Sequence, residues 1–187
     1  MMRAGRIAAA AAALAACAAW AQAPQKVIAD RSTIRFVMKQ MGVPVEGAFR
    51  KFDATVAFDP AKPEATRADF EVDLGSIDLG NAEGETEAKA KAWLDVQLFP
   101  RAKFVAASVK RTAPGRYEAS GPLTIKGITQ PIVAPFTVAE TAAIRTVEGQ
   151  FTLKRLPFKV GEGVWADTDT VADDILVRFR FAIPLVH

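Results

Sequence analysis

From Lys26 onward, apolar side chains recur at every second position in runs of about ten residues, and Gly, Pro and Asp interrupt the runs. Residues i and i+2 of an extended chain share a face, so each run predicts a strand with one apolar and one polar side. Ile34, Phe36 and Met38 make the first apolar face, Phe52, Ala54, Val56 and Phe58 the second, and Ala68, Phe70, Val72 and Leu74 the third. A strand over residues 102–111 carries Phe104 and Ala106, and the turn Ala113-Pro114-Gly115 leads into Tyr117, Ala119, Leu123 and Ile125. Ile132, Ala134, Phe136 and Val138, then Val147, Phe151 and Leu153, then Ile175, Val177, Phe179, Phe181 and Ile183 complete eight long strands. Gly47, Gly75 and Gly121 fall where long strands would kink or bulge. Short connections between strands of this kind favour an all-β, eight-stranded antiparallel barrel, because closure removes exposed sheet edges.

One stretch breaks the period. Asn81 caps a short inserted helix running to about residue 92, with Glu83, Glu85 and Glu87 leading and Lys89 and Lys91 trailing. That order suits the helix dipole and permits the pairs Glu85–Lys89 and Glu87–Lys91. Its faces are too polar for a core, so it belongs across a barrel end or side, as a plain connector or a lid, with Trp93 and Leu94 turning inward at its close.

Composition narrows the chemistry. The 187 residues carry 24 basic and 21 acidic side chains, one histidine and one cysteine. A net charge of +3 is too balanced to imply a nucleic-acid partner. One cysteine forms no internal disulfide, and a Cys/His metal cage or a Ser-His-Asp triad needs more than this chain offers. The N-terminus reads as a signal peptide over residues 1–21, ahead of a single domain over 22–187. Arg3 and Arg6 supply the positive end, residues 7–16 the apolar stretch, and Ala19-Trp20-Ala21 the cleavage site. An alternative is a lipobox, Leu14-Ala15-Ala16-Cys17, in which Cys17 carries a lipid anchor. Either route places the domain outside the cytoplasm, in the periplasm.

The acidic clusters do not read as catalytic. Asp69, Glu71 and Asp73 share the strand face opposite Phe70 and Val72, which predicts a solvated outer surface. Asp167, Asp169, Asp173 and Asp174 precede the last strand, and their oxygens could hold a cation such as Ca²⁺, but the run lacks the glycine and terminal glutamate of a calcium loop. His187 is the chain's last residue, a frayed end rather than a general base.

Four segments in order resemble the YceI-like proteins, a family of secreted lipocalin-like barrels associated with polyisoprenoid lipids. They are Gly42 with Gly47-Ala48-Phe49, the run Phe99-Pro100-Arg101-Ala102-Lys103-Phe104, the run from Gly121 to Thr129, and Val164-Trp165-Ala166-Asp167-Thr168-Asp169. The resemblance spans residues 27–184. Where members often carry a histidine before the Gly-x-Phe element, this chain has Gln40. The family likeness implies a carrier holding an isoprenoid lipid, a polyprenyl chain or a quinone tail, with no catalytic residues and no metal. Relatives that accompany membrane b-type cytochromes extend the implied partners to such a cytochrome, and a homodimer stays open. A strand of about ten residues at ~3.3 Å each, tilted by roughly 40°, gives a barrel about 25 Å tall, suited to a thin ligand. The residues expected to line it are Phe36, Met38, Phe49, Phe70, Phe104, Phe136, Phe151 and Phe179, with Met41, Trp93 and Trp165 nearer the mouth. Ala54, Ala68, Ala106, Ala119 and Ala134 thin the same rows. Three other readings stay open here: a barrel filled solid by its own rings, an outer-membrane barrel with the apolar face outward, and a carboxylate-dependent enzyme.

Overall fold

In the computed structural model, which describes residues 23–185, the period-two runs become strands. In chain order these are β1 (Gln25–Lys26), β2 (Thr33–Gln40), β3 (Val43–Phe49), β4 (Phe52–Ala57), β5 (Arg67–Asp73) and β6 (Ile77–Asp78). After the helix α1 (Ala82–Lys89) come β7 (Arg101–Val105), β8 (Ser108–Ala113), β9 (Arg116–Ile125), β10 (Ile128–Glu140), β11 (Ile144–Lys154) and β12 (Asp174–Pro184). The signal peptide, Cys17 and His187 lie outside the described residues.

Apart from the short β1, the segments make eight walls, because three walls are bent. Residues 43–57 run as β3 and then β4, 67–78 as β5 and then β6, and 101–113 as β7 and then β8. Every pairing is antiparallel, and together they close a ring. β12 pairs with β2, β2 with β3, and β3 with β6; β5 pairs with β4 and β7, β7 and β8 both pair with β9, and β9 to β12 pair in sequence. Where the bend carries β4 away from β2, a second seam fills the gap. β1 pairs with β4, Ile28 N–H donates to Ala182 O at 2.8 Å, and Ala182 N–H donates to the buried Ser32 Oγ at 3.0 Å. At the kink between β7 and β8, a Cβ on Gly121 would sit 2.0 Å from Val105 O, so only glycine lets β9 approach this closely.

The segment β3 is one the hydropathy pattern does not predict, since Pro44 and Gly47 both weaken a strand signal. Its partners on β2 hold it in register over seven residue pairs, from Ile34↔Phe49 to Gln40↔Val43. The helix is shorter than expected. Asn81 Oδ1 accepts from Gly84 N–H at 2.7 Å, but the last turn ends at Ala90. Glu85 turns back to accept from Leu79 N–H at 3.3 Å instead of pairing with Lys89, and Lys91 lies past the helix end, so neither anticipated ion pair forms.

The apolar rows point inward and the charged rows outward. Arg101 meets Glu71 and Lys103 meets Asp69 on the outer face, where the acidic strand positions were expected. Arg35, Lys103, Glu148 and Arg178 stand exposed on the strands' outer face, and a lipid-facing band cannot carry such a row. The outer-membrane reading is thereby overturned. Strand alternation puts the turn at Met41–Gly42, residues 79–100, the turn Lys126–Gly127 and residues 155–173 at one end of the barrel. The opposite end is plugged. Phe58 meets Tyr117 edge-on with ring centres 5.1 Å apart, Tyr117 stacks on Phe136 at 5.4 Å, and the buried Arg145 donates to Phe58 O and pairs with Glu140 at 2.6 Å.

Candidate functional site

Above the aromatic plug the barrel is hollow. An inner cavity of 210 Å³ is walled by side chains from every main strand, among them Ile34, Phe49, Ala68, Phe70, Phe104, Ala119, Leu123, Ala134, Phe136, Phe151, Val177 and Phe179. Its one polar side chain is Thr66, whose hydroxyl finds no partner among the described residues. A wider vestibule of 860 Å³ continues toward the loop-bearing end, and Ile34, Phe49, Leu94, Ile125, Leu153 and Val177 wall both spaces. The solid-core reading therefore fails. The alanines on the inward rows leave room that larger side chains would close, and Ala134, 5% exposed, faces the space directly.

The mouth is framed by residues 155–173, and one side chain organises that loop. Arg155 is 1% exposed, and its five N–H groups go to five carbonyls, those of Val160, Gly161, Trp165, Val171 and Ala172, at 2.6–3.1 Å. Burial pushes its pKa down from the ordinary arginine value while Asp173 nearby opposes the shift; a guanidinium stays charged regardless. At Gly161, with φ of +80°, a Cβ would meet Arg155 Nη1 at 2.3 Å, so the loop needs glycine there. The buried Lys126 ties the facing hairpin to the same loop, its Nζ donating at 2.8 Å to Lys91 O, Lys159 O and the Glu162 carboxylate. That hydrogen bond holds the Glu162 pKa below the usual glutamate value. Asp167 accepts from Thr170 Oγ1 at 2.8 Å and from Asp169 N–H at 3.0 Å, and these bonds lower its pKa as well. Asp173 accepts from Leu156 N–H and stands with Asp174 near Lys154. The acidic run before β12 thus pins the mouth loop, and among the described residues no three acidic or other ligating groups gather around a cation position.

All but one of the residues expected at the site lie on it. Phe49, Phe70, Phe104, Phe136, Phe151 and Phe179 wall the inner cavity, and Phe36, Met38, Trp93 and Trp165 the vestibule. Trp93 and Trp165 stand 5.6 Å apart at the mouth. Met41 is the exception. It occupies the β2–β3 turn with φ of +51° and is 76% exposed, on the rim rather than in the wall. The reason is turn geometry: β2 and β3 pair up to Gln40↔Val43, leaving Met41 and Gly42 as the two-residue connection. Sequence reasoning overlooked the aliphatic walls, Ile34, Leu153 and Val177 among them, which the same alternation marks. It also overlooked Arg155 and Lys126, which no local pattern distinguishes from surface cations.

Comparison with known proteins agrees with this geometry. The profile of the YceI-like domain matches residues 26–183. A UPF0312 protein of Pseudomonas savastanoi pv. phaseolicola is 39% identical over 93 residues, 50% of this chain and 48% of that protein, so the chain spans about half the length of the curated relatives it matches. The crystal structure of Burkholderia cenocepacia BcnA superposes with a TM-score of 0.82 at 39% identity, covering 83% of this chain and 98% of the other. A polyisoprenoid binding domain from Saccharophagus degradans, implicated in plant cell wall breakdown, shares the fold with a TM-score of 0.68 at 13% identity, covering 88% and 99%. From strand order, hollow interior and sequence together, the chain belongs to the YceI-like domain family.

Proposed function

We propose that this protein is a periplasmic carrier that holds one long isoprenoid lipid, a polyprenyl chain or a quinone tail, inside its barrel without transforming it. The observation that carries the reading is the pair of joined cavities, the inner one apolar but for Thr66, closed at one end by aromatic packing and framed by loops at the other. A thread of isoprene units entering such a space gains about 25 cal/mol for each Å² of apolar surface taken out of water, with no catalytic group required. The domain holds no histidine or cysteine between residues 23 and 185, and the acids of β5 and of the mouth loop are engaged in surface pairs and loop bonds. The structural likeness to a protein described as a polyisoprenoid binding domain supports the same ligand class.

Native mass spectrometry of the protein purified from its own periplasm, followed by solvent extraction, tests the proposal. An added mass that extracts as an isoprenoid is the expected result. A protein that leaves the cell without lipid, and takes none up from a mixture of polyprenols and quinones, would overturn it.

A further inference from the structure

The lipid reading leaves open which headgroup sits in the vestibule. Three charged side chains line that space: Glu83, Glu87 and Arg155. Arg155 has no N–H left to offer, since five carbonyls take all five. Glu83 and Glu87 are exposed on α1 and make no ion pair with a described residue, so they present negative charge at the opening. Lys126, also buried, is committed to two carbonyls and Glu162 and is not part of the wall. A phosphate entering here meets two carboxylates and no free cationic donor, and like charges at short range disfavour each other.

Neutral donors, by contrast, are free. Trp93 is 8% exposed, lines the vestibule, and its enclosed Nε1–H has no acceptor among the described residues. The ring corner diagonally opposite Nε1 abuts Gly161, 3.3 Å from where a Cβ would stand. Gln40 also lines the space, with a side-chain amide that no described residue engages. Resting on the lipid reading, we propose that the vestibule selects an uncharged headgroup bearing a hydrogen-bond acceptor, a carbonyl or hydroxyl oxygen, and discriminates against prenyl phosphates. Trp93 Nε1–H is the donor, reached by a small turn of the indole, and the carboxylates of α1 are the repelling element.

Ligands that share one twenty-carbon isoprenoid skeleton test this. Geranylgeraniol, its acetate ester, geranylgeranyl phosphate and the saturated hydrocarbon phytane are titrated against delipidated protein by displacement of a fluorescent fatty probe. The alcohol and ester should bind about tenfold or more tighter than the phosphate. Replacing both acids (Glu83→Gln with Glu87→Gln) should narrow that gap chiefly by improving the phosphate. Trp93→Phe should weaken the alcohol and ester about fivefold and leave phytane unchanged, an outcome that general loosening of the mouth would not give. Phosphate binding equal to or tighter than the alcohol overturns the headgroup inference while leaving the lipid reading standing. Failure of all four ligands to bind overturns the lipid reading itself, and this inference with it.

Discussion

Arg155 is the residue on which the mouth depends most. A guanidinium is the side chain whose five donors in a rigid fork can close five carbonyls at once, and here every one is taken inside a nearly water-free pocket. Its contact with the Trp93 ring, 5.6 Å from the ring centre, couples the hub to the vestibule wall. Arg155→Met removes the donors and strands the carbonyls, and should cost about 3 kcal/mol or more, read as a lowered urea midpoint. Arg155→Lys keeps the charge but offers three hydrogens from one atom, so it should fall between Met and the native protein. If Arg155→Met unfolds at the native urea concentration, the hub is decoration.

Between residues and barrel lie two tied elements, the β1 seam and the mouth loop. Ser32 Oγ accepts Ala182 N–H and donates to Ile28 O at 2.8 Å, so one hydroxyl stitches the segment after β1 to β12. Ser32→Ala should cost about 1–2 kcal/mol and raise hydrogen exchange at Ala182 above that of its neighbours on β12. The loop over residues 155–173 responds to acid. Glu162 and Asp167 both have pKa values below their unfolded ones. The unfolded chain therefore binds their protons first, and the stability they contribute is complete above the ordinary carboxylate range and lost as pH falls through the depressed values. Tryptophan fluorescence at Trp93 and Trp165 should change as pH falls below the ordinary carboxylate range of about 4, and Glu162→Gln together with Asp167→Asn should flatten that change. These ties mark the limit of what a sequence displays. Alternation along each run states which side chains face inward, and so the eight walls and nearly the whole lining were legible from it. Pro44 and Gly47 hid β3, whose place is set by pairing with β2, and Met41 looked like wall because its turn is defined by that same hidden partner. Arg155 and Lys126 escaped because a cation becomes buried only when carbonyls distant in sequence converge on it.

At the scale of the whole molecule, the barrel is a container whose usable depth is set by small residues on inward rows. Ala134 and Ala119 face each other across β10 and β9, and both wall the inner cavity. A phenyl ring at Ala134 has a void of 210 Å³ to enter, so it takes the place of the lipid tail instead of straining a packed core. Ala134→Phe should therefore fold with native-like stability and carry less lipid, or only lipids of shorter chain, in the extract. The preceding position supplies the control. Val133 lies on the opposite face and is 51% exposed, so Val133→Phe should leave both lipid load and chain length as they are. The pair separates a filled cavity from a bulkier barrel, because the two changes place the same phenyl ring one residue apart on opposite faces. Phe136→Asp extends the test with charge: an unpaired carboxylate in the wall should lower lipid load further and also lower stability by several kcal/mol, since nothing in the inner cavity can neutralise it. Were Ala134→Phe to fold and retain lipids of unchanged length and amount, the tail would have to lie elsewhere, and the inner cavity would be a packing defect of the barrel instead of its seat.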